Sequence, residues 1–181
     1  IDPMGTLEIE TDGTGTQLMT GPIEVTSNRG TASRLQGTEI FELLGYSVSV
    51  ANAPQYDSHR VYVSYTADEN TGIGIYNPDP QNPITLDLML MDDEGNQLAQ
   101  AEMTMEAGQQ LARFVNEAEL FQAYFNANPG DCQGTLNITV RDGAVACVMG
   151  IIQKRDTGAM IAVAPRYRGF GSGLTFPQYV N

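Results

Sequence analysis

Tryptophan is absent from this chain of 181 residues, histidine occurs once, cysteine twice, and lysine only at Lys154. Each scarcity closes off a class of chemistry. A Ser-His-Asp or Cys-His centre needs a general base, and the single candidate, His59, stands in Asp57-Ser58-His59-Arg60 just ahead of a strand, where it reads as an exposed loop residue. No group of His and Cys has the spacing of zinc ligands. Basic side chains are also few, 9 against 22 acidic ones, for a formal net charge of -13 and a pI near 4.2. Such a surface repels phosphate, so no nucleic-acid partner is expected, and anionic membrane surfaces are disfavoured in the same way. No apolar run approaches the roughly 18 to 20 residues that span a bilayer, and no membrane insertion is expected.

What the chain has is 41% hydrophobic residues, 19 Gly, 9 Pro, and short runs rich in Thr, Val, Ile and Tyr. This is an all-β composition. Ile84, Leu86, Leu88 and Leu90 alternate with Thr85, Asp87, Met89 and Met91; after Asp92-Asp93-Glu94-Gly95-Asn96 the alternation resumes in Ala99, Ala101, Met103 and Met105, which predicts a hairpin with one buried face. Asp142-Gly143 predicts a second hairpin, with Val140 opposite Val145, Ile138 opposite Cys147 and Leu136 opposite Met149. Further strands are expected at 46–51, 60–65, 72–76, 111–115 and 159–164. Asn116 as a capping residue, Glu119 three positions on, and the apolar stripe Leu120, Phe121, Tyr124 and Phe125 predict a short helix over 117–126, ended by Asn128-Pro129-Gly130.

Self-similarity runs through the chain. Gly5-Thr6-Leu7-Glu8-Ile9 matches Gly134-Thr135-Leu136-Asn137-Ile138, each leading to an Asp-Gly turn, and Gly45, Val48 and Val50 correspond to Gly158, Ile161 and Val163. A period of roughly 115 to 130 residues follows. The expected organisation is a vector scar at 1–4, the tail of a preceding module at 5–55, a main β-sandwich at 56–168, and at 169–181 a linker with the first strand of a following module. Gly169-Phe170-Gly171-Ser172-Gly173 has neither nucleotide-binding glycine pattern and serves as that linker.

Thr71-Gly72-Ile73-Gly74-Ile75-Tyr76-Asn77-Pro78, the hairpin from Leu86 to Met105, Gly108-Gln109-Gln110-Leu111-Ala112-Arg113-Phe114, the short helix and Gly134-Thr135-Leu136 with its Asp-Gly turn together resemble a β-sandwich module found in tandem in secreted and surface proteins of bacteria. The resemblance covers about residues 60–180, with 5–55 as a preceding half-module. It implies an exported protein at the cell surface, in the extracellular space or in the periplasm, and it carries over no catalytic residue. The two cysteines and a longer loop at 122–133 depart from the pattern.

Three pieces of chemistry remain on offer. Asp92, Asp93, Glu94 and Asn96 crowd a hairpin tip and supply the hard oxygens that calcium takes, although without EF-hand spacing, and a solvated polar turn explains them equally. Thr11 to Thr16 is a weaker version of the same. Tyr56, Tyr62, Tyr65, Tyr167 and Phe170 are candidate stacking platforms for sugar rings, with core and inter-module packing as the competing use. In the predicted register Cys132 lies about 20 Å from Cys147, beyond the roughly 7 Å limit for a disulfide, so a buried Cys147 and an unpaired or exchange-prone Cys132 are expected. Glu39, Glu42, Asp57 and Asp68 show no spacing that makes a glycosidase pair.

The resulting expectation is an all-β, antiparallel sandwich, immunoglobulin-like or related, with one short helix and no enzymatic activity. It acts as a structural, spacer or adhesive module whose partners are neighbouring modules or other surface proteins, with a carbohydrate-binding module, and hence polysaccharide, as the alternative. No cofactor beyond the calcium candidate is expected.

Overall fold

Alternating apolar and polar side chains become strands along most of the chain that the computed structural model describes, which is residues 8–10, 23, 25, 38–43 and 45–167. In chain order the strands are β1 (Thr38–Leu43), β2 (Tyr46–Ala51), β3 (Gln55–Tyr56), β4 (Ser58–Tyr65), β5 (Glu69–Tyr76), β6 (Ile84–Asp92), β7 (Gln97–Met105) and β8 (Gln110–Phe114). The helix α1 (Gln122–Ala127) follows, then β9 (Cys132–Val140), β10 (Ala146–Lys154), β11 (Met160–Val163) and β12 (Arg166–Tyr167). Two five-stranded sheets form, β12-β4-β9-β6-β7 and β11-β10-β5-β8, the second carrying β3 on β10. All pairings are antiparallel. The sheets face each other as a β-sandwich.

The inward faces make one core. Val61 and Val63 of β4, Leu86, Leu88 and Leu90 of β6, and Leu136 and Ile138 of β9 cluster with Ile73 and Ile75 of β5, Leu111 of β8 and Val148 of β10. Each such side chain contributes roughly 1.5 to 3 kcal/mol by leaving water. The β6–β7 hairpin has the register expected from its alternation, Ile84 opposite Met105, Leu86 opposite Met103 and Leu88 opposite Ala101. β2, β4, β5, β8 and β11 occupy the other expected strands. At Gly134 and Gly150 the backbone needs the missing side chain: a Cβ would lie 2.0 Å from the Met91 carbonyl oxygen at the first and 2.6 Å from Val61 Cγ1 of the facing sheet at the second.

The Asp142-Gly143 hairpin does not form. β9 pairs with β4 and β6, whereas β10 pairs with β3, β5 and β11, so the turn carries the chain from one sheet to the other. Asp142 at φ 59° and Gly143 at φ 72° supply the left-handed backbone that either connection needs. The core-facing residues of β10 are therefore Ala146, Val148, Gly150 and Ile152, and Cys147, Met149 and Ile151 face outward. Cys147 is half-buried rather than fully buried, because it faces outward on β10, whereas Cys132 is unpaired as expected and is the buried one; no disulfide joins them.

β1 and β2 add a third layer. Val48 and Val50 pack with Met160, Met149, Ile151 and Ala162 on the outer face of the β10 sheet. Gly72 and Gly74 make room beneath, since a Cβ at either would meet Ile151 Cγ1 at 3.0 Å or Met149 Cγ at 2.7 Å.

The helix is shorter than expected. Asn116 does not cap it; its Oδ1 accepts a hydrogen bond from Asn70 Nδ2 (2.9 Å), and the Glu117 carboxylate turns back to accept from the Phe114 N–H (3.3 Å). With those groups committed to β5 and β8, the chain makes turns until Phe121, and only Gln122–Ala127 is α-helical. Of the expected first-copy strand 5–9 only Glu8 and Ile9 are described, and they are not in a strand; the expectations for residues 1–4, the Asp12-Gly13 turn, Thr11 to Thr16, and the linker and strand of 169–181 lie outside the described residues.

Candidate functional site

Strand alternation turns His59 inward with Val61 and Val63, and only 2% of it is exposed. The expected exposed loop position is thus wrong, because β4 begins at Ser58, before the histidine. Its Nε2 lies 3.0 Å from the Tyr56 carbonyl oxygen on β3 and 3.0 Å from that of Ala146 on β10. The imidazole of one sheet thereby donates to the backbone of the other. Burial pushes its pKa below the usual value, outweighing the carbonyls and Asp57, which act in the opposite sense, so the ring is neutral and a donor at Nε2. Its position also matters to the chain path, since β3 is where the chain enters the sandwich and Tyr167 of β12 pairs with His59.

At the opposite end, the β6–β7 tip, α1 and the start of β9 enclose a cleft of about 390 Å³ lined by Asp92, Asp93, Tyr124, Asp131 and Cys132 among others. Of the calcium candidates, Asp92 and Asp93 face this cleft, while Glu94 and Asn96 are exposed at the tip. Asp92 is already engaged: Oδ1 accepts from the Asn96 N–H (2.6 Å) and Oδ2 from Asn96 Nδ2 (3.0 Å), which holds its carboxyl below the usual range. Asp93, beside Glu94, raises the latter's pKa. Asp131 joins them from the loop before β9, a contribution the sequence does not advertise. Among the described residues, no group of three or more His, Cys, Asp or Glu side chains is arranged to hold a metal ion. Burial, then Asp92 and Asp93, push the Cys132 thiol up, so of the two expected alternatives it is the unpaired, ionisation-resistant thiol rather than the exchange-prone one.

The tyrosines do not converge. Tyr65 points inward at the end of β4, its ring 4.3 Å from that of Phe125 and 4.8 Å from the Arg155 guanidinium. Tyr62 points the other way, 44% exposed on the outer face of the β9 sheet. Tyr56 is half-buried on β3 in the β10 sheet, edge-on to His59 at 6.3 Å. Tyr167 lies in β12 with its side chain outside the described part, as is Phe170. The four scattered carboxylates stay apart in the topology, with Glu39 and Glu42 on β1, Asp57 before β4 and Asp68 in the turn before β5.

The outer face of the β9 sheet is open and polar. In one cross-strand row Arg166, Arg60, Asn137, Met89 and Gln100 stand side by side, and in the next Tyr62, Thr135 and Met91. Arg60 Nε donates to Asn137 Oδ1 (2.7 Å). Arg141, at the turn after β9, donates to both Asp87 oxygens and to Glu102, tying β6 and β7 together and holding the Asp87 carboxyl below its usual range. No helix among the described residues is long and apolar enough to cross a membrane. No family model, no curated protein and no solved structure matches the chain.

Proposed function

We propose that this chain is a non-catalytic structural module, a spacer or adhesive unit of an exported, multi-module bacterial protein that works outside the cell or at its surface. The observation that carries the reading is His59. The single imidazole of the chain is buried and donates across the sandwich to backbone, where it holds sheets together rather than meeting a substrate. Other polar groups are spent in the same way, with Arg141 on Asp87 and Glu102, and Glu69 on Lys154 and Ser64. The β1–β2 hairpin adds support, because chain that precedes the sandwich packs against it as consecutive units of a serial protein do. Gly45 and Gly158, paired in the internal repeat, share a left-handed backbone (φ 80° and 76°) and each leads into the second strand of a hairpin. Protease shaving of intact source cells tests the proposal. Release of fragments of this chain is expected; recovery of the intact chain from the cytosol alone overturns it.

A second reading, a carbohydrate-binding module, is favoured by Tyr62, an exposed ring on the outer face of the β9 sheet.

A further inference from the structure

Three of the basic side chains among the described residues are held by carboxylates: Arg113 by Glu117 and Glu119, Arg141 by Asp87 and Glu102, and Lys154 by Glu69. Arg60 and Arg166 are placed differently. They are direct cross-strand partners on β4 and β12, so both project from the outer face of the β9 sheet, and both are exposed. Directly opposed like charges on a sheet repel each other and destabilise the pairing. The chain has 22 acidic residues, and the two that the described residues place on this face, Asp87 and Glu102, are committed to Arg141. A guanidinium is a planar fork that pairs with a carboxylate in bidentate fashion, and here two stand on neighbouring strands at one register position.

The groups around the pair narrow the ligand. Tyr62 is two residues along β4 on the same face, Thr135 is its cross-strand neighbour, and Asn137 is that of Arg60. A ring face, a hydroxyl, an amide and two guanidinium groups on one exposed sheet face suit a pyranose that stacks on Tyr62 and turns a carboxylate toward the arginines. An acidic protein segment would use the arginines and leave Tyr62 and Thr135 idle. We propose that the Arg60–Arg166–Tyr62 face binds a uronate residue of an acidic polysaccharide; the inference rests on the carbohydrate-binding reading and adds its ligand class.

The test is calorimetric titration of the intact protein with oligogalacturonate, with the neutral oligogalactose of the same length, and with oligoglutamate. Oligogalacturonate is expected to bind with a dissociation constant of about a millimolar or below. Arg60→Gln and Arg166→Gln each lower that affinity about tenfold or more through the loss of charge-assisted hydrogen bonds, and Tyr62→Ala lowers it as well. All three positions are at the surface, so Tyr62→Ala melts close to the parent, and the arginine variants, relieved of the cross-strand repulsion, melt no lower than the parent. Equal binding of the neutral sugar, unaffected by the arginine substitutions, overturns the uronate assignment and leaves the carbohydrate reading standing. Failure of both sugars to bind at about 10 mM overturns both. Oligoglutamate binding as tightly as oligogalacturonate makes the face a docking surface for acidic protein and overturns the saccharide.

Discussion

His59 is a buried polar group whose hydrogen bonds hold its protonation state, and that gives it a pH signature. Its folded pKa is lowered, so as pH falls below about 6.5 the unfolded chain takes up a proton that the folded one refuses, and stability declines until the folded pKa is reached. Glu69, Asp79, Asp87 and Asp92 have lowered pKa values too, but theirs is stability that is present above the ordinary carboxylate range and lost below about pH 4.5. The two windows separate. Urea midpoints measured from pH 8 to pH 5 should therefore fall with pH in the parent and stay level in His59→Gln, and a level parent profile contradicts the assignment. Truncation by His59→Ala, which strands two carbonyls and leaves a cavity, should cost about 2 to 4 kcal/mol at pH 8. The inward position is legible in the sequence once β4 is started at Ser58, because His59, Val61 and Val63 then share one face. Arg60 and Arg166 are different: only the pairing of two residues of β12 with β4 brings them together, and no local pattern encodes that.

Strand elements follow the period-two signal wherever one face meets solvent and the other the core, as in β6 and β7. β10 defeats that signal because both its faces are apolar. Ala146, Val148 and Ile152 meet the core, while Met149 and Ile151 lie under the β1–β2 hairpin. With no polar face to fix the phase, an Asp-Gly turn serves a hairpin or a crossover equally well, and the crossover is what forms. The helix is shorter than its cap signal for a related reason, since Asn116 and Glu119 have capping-box chemistry but bond to Asn70 of β5 and Arg113 of β8. The third layer leads to a prediction at this scale. Val50→Lys places a charge between the hairpin and the β10 sheet and should release β1 and β2 while leaving the sandwich folded. Hydrogen exchange should then show Tyr46–Ala51 amides exchanging at least about tenfold faster than in the parent, with β6 and β9 amides unchanged. Loss of protection across β6 and β9 as well would mean that the hairpin belongs to the cooperative core.

At the scale of the molecule, the all-β sandwich was legible from composition and strand spacing, whereas the way the chain enters and leaves it was not. β3 and β12 attach the sandwich to the preceding and following chain, one to each sheet, and both sit beside His59, whose hydrogen bonds reach from β4 to β3 and β10. A pull on the ends of the chain tends to part the sheets at that point. If the chain is the spacer or adhesive unit proposed above, it has to resist this, and the imidazole hydrogen bonds are where that resistance is expected. Stretching single molecules of the intact protein by their two ends is the most direct test. The account predicts an early release of the β1–β2 layer, followed by one cooperative rupture of the sandwich that frees about 110 residues, about 400 Å of chain. In His59→Ala the rupture should come at lower force, with the unfolding rate raised at least about tenfold, equivalent to about 1.4 kcal/mol. A featureless extension of the parent, or a rupture force unchanged in His59→Ala, would contradict the account.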